Sequence, residues 1–140
     1  MESKRIGNIG EAKVIAKFVE HGFPVYIPFG DNEKADIVVE IDGKLCRVQV
    51  KTAAGCKNGR IEFDLTSSTI LHKNTVRRKY SNGEVDYFAL YSIVRDKVYL
   101  LKVNDKIPSS ICIRYEETGN KQSVGVKYEC DYLFENVLGL

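Results

Sequence analysis

The chain has 140 residues, of which 44% are apolar and 29% charged, with four cysteines and a net charge of +2. That balance is typical of one soluble globular domain, expected to run 1–140, and it excludes a disordered or fibrous chain. The longest nearly unbroken apolar run, Tyr87 to Val94, is too short to span a bilayer, and Met1-Glu2-Ser3-Lys4-Arg5 leads into no apolar leader, so a cytoplasmic, intracellular location is expected.

The first predicted element is a helix from Ile9 to His21, with Asn8 as N-cap, Gly22 as its stop and Pro24 preventing continuation. Glu11, Ile15, Phe18 and Gly22 fall on one stripe, which Ala12, Ala16 and Val19 widen. Two runs then flank Asp42-Gly43, from Ala35 to Ile41 and from Lys44 to Lys51. Asp-Gly between such runs predicts a two-residue hairpin, and the turn sets the register, with Ile41 opposite Lys44 and Asp36 opposite Gln49. One face then carries Ile37, Val39, Ile41, Cys46, Val48 and Val50. The other carries Asp36, Val38, Glu40, Leu45, Arg47, Gln49 and Lys51.

Further along, a short strand is expected from Arg60 to Leu65, then the polar run Thr66 to Thr69, then a basic and partly helical stretch from Leu71 to Tyr80. Val85–Val94 and Lys97–Val103 read as a second hairpin joined near Arg95-Asp96, with Tyr87, Tyr91 and Tyr99 as core or interface residues. A weaker third hairpin pairs 111–117 with 124–129 across Thr118-Gly119-Asn120, and a last short helix spans 131–138. Cys46, Cys56, Cys112 and Cys130 have no CxxC spacing and no matching histidines, which argues for reduced, mostly buried thiols over structural zinc. The order of elements implies an α/β (α+β) fold, a mixed central β-sheet flanked by helices.

The polar hairpin face places an acid, an amide and an ammonium within mutual reach, and the helix offers a second acid in Glu11. Two carboxylates with backbone carbonyls, the Val50 carbonyl among them, suit a hard cation such as Mg²⁺. Such an ion can polarise a phosphoryl oxygen and acidify water. The charge distribution suits a polyanionic partner or a merely solvated basic loop equally, with seven basic and only two acidic residues from Lys51 to Tyr80. Lys57, Arg60, Lys73, Arg77, Arg78 and Lys79 are candidates to neutralise DNA phosphates, with Thr66, Ser67, Ser68 and Thr69 donating to phosphate oxygens. Each residue also has a plainer reading. Glu11 could sit at the third position of a capping box begun by Asn8. Asp36 and Lys51 could be a solvated ion pair, and Arg77-Arg78-Lys79 an exposed helix face. His21 reads as a helix C-terminal residue, and His72 has no identifiable partner.

Asp36, followed by Gln49-Val50-Lys51, resembles the PD-(D/E)XK nuclease motif, and Gly7-Asn8-Ile9-Gly10-Glu11 resembles its helical acid. Asp86 to Tyr91 and Val98 to Leu101 are similar to the paired strands that follow the motif. Within that superfamily the small size and the glutamine variant look most like bacterial group I intron homing endonucleases, with Holliday-junction resolvases as near relatives. Two positions depart from the pattern: Ala35 replaces the usual proline, and Gln49 replaces an acid. The resemblance implies a restriction-endonuclease-like core and Mg²⁺ bound by Asp36, Glu11 and the Val50 carbonyl. It further implies Lys51 positioning the water, Gln49 aligning water or metal, and a 5′-phosphate product. Cutting both strands of a duplex implies a homo-oligomer, a dimer or tetramer. Three functions follow as expectations: a site-specific homing-type endonuclease, a nuclease specific for branched DNA, or a DNA-binding module silenced by Gln49. Loops near 53–60 and near Thr118 are the candidates for base reading.

Overall fold

The computed structural model describes residues 2–30, 35–71, 74–80, 83–117 and 125–140, with side chains outside 68–78. Helix α1 runs from Ser3 to Glu20, six residues longer at its start than expected. Its N-cap is Glu2, which makes no side-chain capping bond, so Asn8 and Glu11 both lie inside the helix and form no capping box. The C-terminus ends as the sequence implies. His21 is the C-cap, Gly22 takes φ +83°, and the N–H groups of Gly22 and Phe23 donate to the carbonyls of Val19 and Phe18. This Schellman closure comes with its apolar contact, Phe18 and Phe23 meeting edge to face at 5.9 Å. The buried line of α1 is Gly10, Val14 and Phe18, rotated from the expected stripe, and Ala12, Ala16 and Val19 are exposed. The cause is Gly10, which packs so closely on Thr52 that a Cβ there would stand 1.7 Å from Thr52 Oγ1.

The five-stranded central sheet has the order β1-β2-β3-β7-β8, with β1 at Val25–Tyr26, β2 at Ile37–Ile41, β3 at Lys44–Ala53, β7 at Tyr87–Ser92 and β8 at Lys97–Lys102. Strands β3 and β7 are parallel and the other neighbours antiparallel. The β2–β3 register is the expected one, from Ile37 opposite Val48 to Ile41 opposite Lys44. Asp42 and Gly43 take φ 50° and 76°, the paired positive values that a type I′ turn requires. The apolar hairpin face, with Ile37, Val39, Ile41, Val48 and Val50, packs on Val14 and Phe18 of α1 and on Phe134. Phe134 opens α2, Phe134–Leu138, which follows a 3₁₀ turn at Glu129–Asp131. The opposite face of the sheet is covered by a smaller one, order β10-β9-β4, formed by Lys127–Tyr128, Ser110–Arg114 and Arg60–Asp64. Phe88, Leu90 and Tyr99 of the central sheet meet Ile61, Phe63, Ile111 and Ile113 there. The expected α/β (α+β) class and mixed sheet thus hold.

Several local expectations are corrected. Leu71 and residues 74–80 are not helical: β5, Thr66–Leu71, and β6, Asn74–Lys79, form an antiparallel ribbon. Thr75-Val76 favours a strand, and the run has no helical apolar period. The segment 111–117 does not pair back on 124–129 as an antiparallel hairpin; β9 pairs antiparallel with β4 and parallel with β10. Its inward residues Ile111 and Ile113 are needed against Ile61 and Phe63 in the second core. The expected turn at Thr118 lies outside the described residues. All four thiols are free, but Cys56 and Cys130 are exposed and Cys46 and Cys112 only partly buried. Tyr91 and Tyr99 are core residues, while Tyr87 is half-buried. Among the described residues no helix is long and apolar enough to cross a membrane.

Two predictions follow from this packing. Gly7 and Gly10 share α1, yet a Cβ at Gly7 would meet nothing within 4 Å. Gly7→Ala is expected to stabilise by about 0.5–1 kcal/mol through backbone entropy. Gly10→Ala gains the same entropy but carries an overpacking cost of about 1–3 kcal/mol, so it should destabilise. Urea denaturation of both variants checks the opposite signs, and a stabilised Gly10→Ala would show that the helix–strand contact yields freely.

The second concerns Glu129, which accepts from Arg95 Nη2 and Tyr99 Oη, each at 2.8 Å, and lies 3.6 Å from Lys97 Nζ. Burial alone would raise its pKa, but the hydrogen bonds from Arg95 and Tyr99 and the nearby cations hold it below the usual carboxylate value. A depressed pKa gives stability that is present above the unfolded value, about 4.3, and lost as pH falls through the folded value. Glu129→Gln should therefore cost about 2 kcal/mol at neutral pH and flatten that acid-side loss. Stability measured from pH 7 to pH 3 decides it; equal slopes in both proteins would refute the assignment.

Candidate active site

Strand β2 begins at Ile37 while β3 continues to Ala53, so among the described residues no strand pairs with that side of β3 beyond Val48. Asp36 fills the gap. Its N–H donates to the Val48 carbonyl at 2.9 Å, and its Oδ2 accepts the Val50 N–H at 2.8 Å. The carboxylate is thereby held alongside Gln49 and Lys51, which alternate onto the opposite sheet face from Val50 and are half-buried. Lys51 Nζ donates to the Thr66 carbonyl at 2.6 Å and sits 5.4 Å from the centre of the Tyr80 ring. Thr66 is itself fixed, its N–H and Oγ1 donating to Asp64 Oδ1 at 2.8 and 2.6 Å. From the other side, the Gly10–Thr52 contact brings α1 down so that Glu11 meets this edge.

The electrostatics mark the spot as one that wants a cation. Burial pushes the Asp36 carboxyl above its ordinary pKa, more than the Val50 N–H and the Lys51 charge pull it down. Glu11 is raised too, first by burial and then by the charge of Asp36. Two carboxylates that disfavour each other's ionisation, beside a backbone edge and an amide oxygen, form a hard-oxygen donor set that fits Mg²⁺. The set holds only two acids: among the described residues no three His, Cys, Asp or Glu side chains cluster as a metal site. Gln49 stands where a third acid would complete one.

A profile of the PD-(D/E)XK endonuclease family matches residues 1–135. The chain belongs to that family. Two known proteins are similar to it. Protein 5.3 of Escherichia phage T7 is 30% identical over 117 residues, covering 82% of this chain and 93% of its own. The bacterial homing endonuclease I-Ssp6803I superposes with a TM-score of 0.77 at 24% identity, over 99% of this chain and 95% of its own. The PD-(D/E)XK chain described here is a DNA endonuclease with a restriction-endonuclease-like fold.

Of the residues singled out in the sequence, Glu11, Asp36, Gln49, Val50 and Lys51 converge at the open β3 edge. Ser67, Ser68, Arg77, Arg78 and Lys79 come together in the β5–β6 ribbon, Ser67 opposite Arg78 and Ser68 opposite Arg77. Lys57 and Arg60 do not join them. They pair with each other across a tight Asn58-Gly59 turn at the far end of β4. Lys73 lies outside the described residues, as does His72. His21 caps α1, its Nδ1 3.0 Å from the Lys17 carbonyl. Sequence reasoning gave Thr66 another role, as a phosphate donor, and missed Tyr80 and the packing role of Gly10. Only Gly10 left a signal, as a glycine inside a helical pattern just before an acid.

Asp36 closes a backbone gap as well as carrying charge, so its variants should separate the two roles. Asp36→Ala strands the buried Val50 N–H and is expected to cost about 1–3 kcal/mol, whereas Asp36→Asn keeps an acceptor and should cost little. Thermal melting of the metal-free variants tests this; equal losses would show that the Val50 bond contributes nothing.

Proposed function

We propose that this endonuclease is a Mg²⁺-dependent, site-specific enzyme of the homing type, a single domain over 1–140 that cuts both strands of duplex DNA as a dimer or tetramer inside the cell. The observation that carries the reading is the Asp36–Val50 hydrogen bond, which fixes a carboxylate beside Gln49 and Lys51 where Glu11 also arrives. The structural likeness to a homing endonuclease supports the same choice.

Asp36, Glu11 and the Val50 carbonyl would hold Mg²⁺, which when bound supplies Lewis acidity to a phosphoryl oxygen and lowers the pKa of water. Lys51 places its ammonium at the reacting phosphate, orients the attacking water and stabilises charge building on the pentavalent phosphorus, leaving a 5′-phosphate. The Thr66 carbonyl and the Tyr80 ring hold that ammonium in place beforehand, so little reorganisation accompanies the reaction. Gln49 aligns water through its amide. Lys57, Arg60, Lys73, Arg77, Arg78 and Lys79, with Ser67 and Ser68, contact the DNA backbone around the cut. Gln49 brings no charge, and that one observation favours a second reading, a DNA-binding module whose metal site is too weak to act.

The test is cleavage of a randomised duplex pool and of a four-way junction with Mg²⁺, by wild type and Lys51→Ala. Discrete duplex cuts are expected, falling about 100-fold or more in the variant. Nicks confined to the junction would replace homing by a structure-specific nuclease. DNA binding without cleavage, restored by Gln49→Glu, would establish the silenced module.

A further inference from the structure

Among the described residues the β5–β6 ribbon pairs with no strand of the other two sheets. A two-stranded ribbon by itself is marginal in water, so this one calls for a covering partner. Its twelve residues say what kind: five hydroxyl side chains, two arginines, a lysine and no acid. The register pairs Thr66 with Lys79, Ser67 with Arg78 and Ser68 with Arg77, so the cations and hydroxyls gather in the half of the ribbon nearest its base. That base is tied to the catalytic group. The Thr66 carbonyl accepts from Lys51 Nζ, and Tyr80, immediately after β6, packs edge to face on Phe88 at 5.4 Å and lies under the same ammonium.

We propose that the β5–β6 ribbon lies in the DNA major groove and reads base pairs beside the cut. The inference rests on the chain acting on duplex DNA and goes further, assigning base recognition to one element in place of phosphate contact alone. A two-stranded ribbon matches the major groove, about 12 Å wide. Charge is complementary, with three cations and no acid against phosphates. Reach sets the position. Six residues at about 3.3 Å each extend roughly 20 Å from Lys51, so the base pairs read lie within roughly six of the scissile bond. Successive residues of a strand alternate faces, so Arg77 belongs with Ser68 and Arg78 with Ser67. One of these two classes meets base edges, with its arginine on a guanine, and the other serves the backbone.

The experiment selects bound sequences from a pool of randomised duplexes with the full-length wild type, Arg77→Ala and Arg78→Ala, and maps cut ends with Mg²⁺ present. One arginine variant is expected to lose preference for a guanine within six base pairs of the cut, weakening binding to the selected duplex roughly ten- to hundredfold. The other should weaken all sequences alike. Unchanged preference in both variants, or lost preference only farther from the cut, overturns the proposal. So does a change in sedimentation without a change in preference, since the ribbon would then be a contact between copies of the chain. Selection is scored on binding, so a wild type that enriches a sequence but never cuts counts against the nuclease reading and leaves the ribbon to be judged on its variants. Circular dichroism of each variant confirms the fold.

Discussion

Two positive φ angles at Asp42 and Gly43 set the register of the β2–β3 hairpin, and most of what the molecule does depends on that register. A slip of one residue would send Ile37, Val39, Val48 and Val50 away from α1 and turn Gln49 and Lys51 into the helix core. With the register fixed, the side chains sort themselves by parity. The apolar set takes up α1 and α2, and the polar set lies on the opposite face, where Leu45 and Arg47 are exposed and Lys51 reaches Thr66. Both clusters share the central sheet, so the catalytic edge is braced from two sides.

The site occurs where the sheet loses a strand. A β3 edge without a neighbour leaves backbone groups that must find partners, and buried ones rarely go without. Here the Asp36 side chain supplies the acceptor that a longer β2 would have supplied from its backbone. The same carboxylate can therefore be partly desolvated, fixed in direction and close to a second acid. An acid on a full-length strand would point from the sheet face into solvent or into the opposing layer.

How far this was legible in the sequence follows from the range of the forces involved. The hairpin was readable because Asp-Gly and the alternating β-branched residues act within a few positions of one another. The C-terminus of α1 was readable for the same reason, since Gly22 and Phe23 close on Phe18 and Val19. The start of α1 was not, because tertiary packing carries the helix back to Ser3 without any side-chain cap. Strand β9 was misassigned because its partners are Arg60–Asp64, some fifty residues earlier, and the short β10, neither marked by a turn. The ribbon hid behind its composition: hydroxyls and arginines on both faces give neither a period of two nor one of 3.6.

The absence of a patterned face also bears on how the ribbon and the site relate. Lys51 belongs to the middle strand of the central sheet, while Thr66, its acceptor, opens a strand of the separate two-stranded sheet. The contact between them is a charge-assisted hydrogen bond to a backbone carbonyl, stronger than a neutral one yet made by a flexible side chain. An ammonium engaged in that way is positioned by the ribbon's base as much as by β3. Whatever orders the ribbon also orders the acceptor of Lys51, and the ammonium keeps two further N–H donors beside the one given to that carbonyl. Asp64 limits the freedom on the other side, binding both the N–H and the hydroxyl of Thr66 at the junction with β4. Lys51 thus connects the central sheet to the ribbon, and the placement of its ammonium is physically coupled to the position of the ribbon's base.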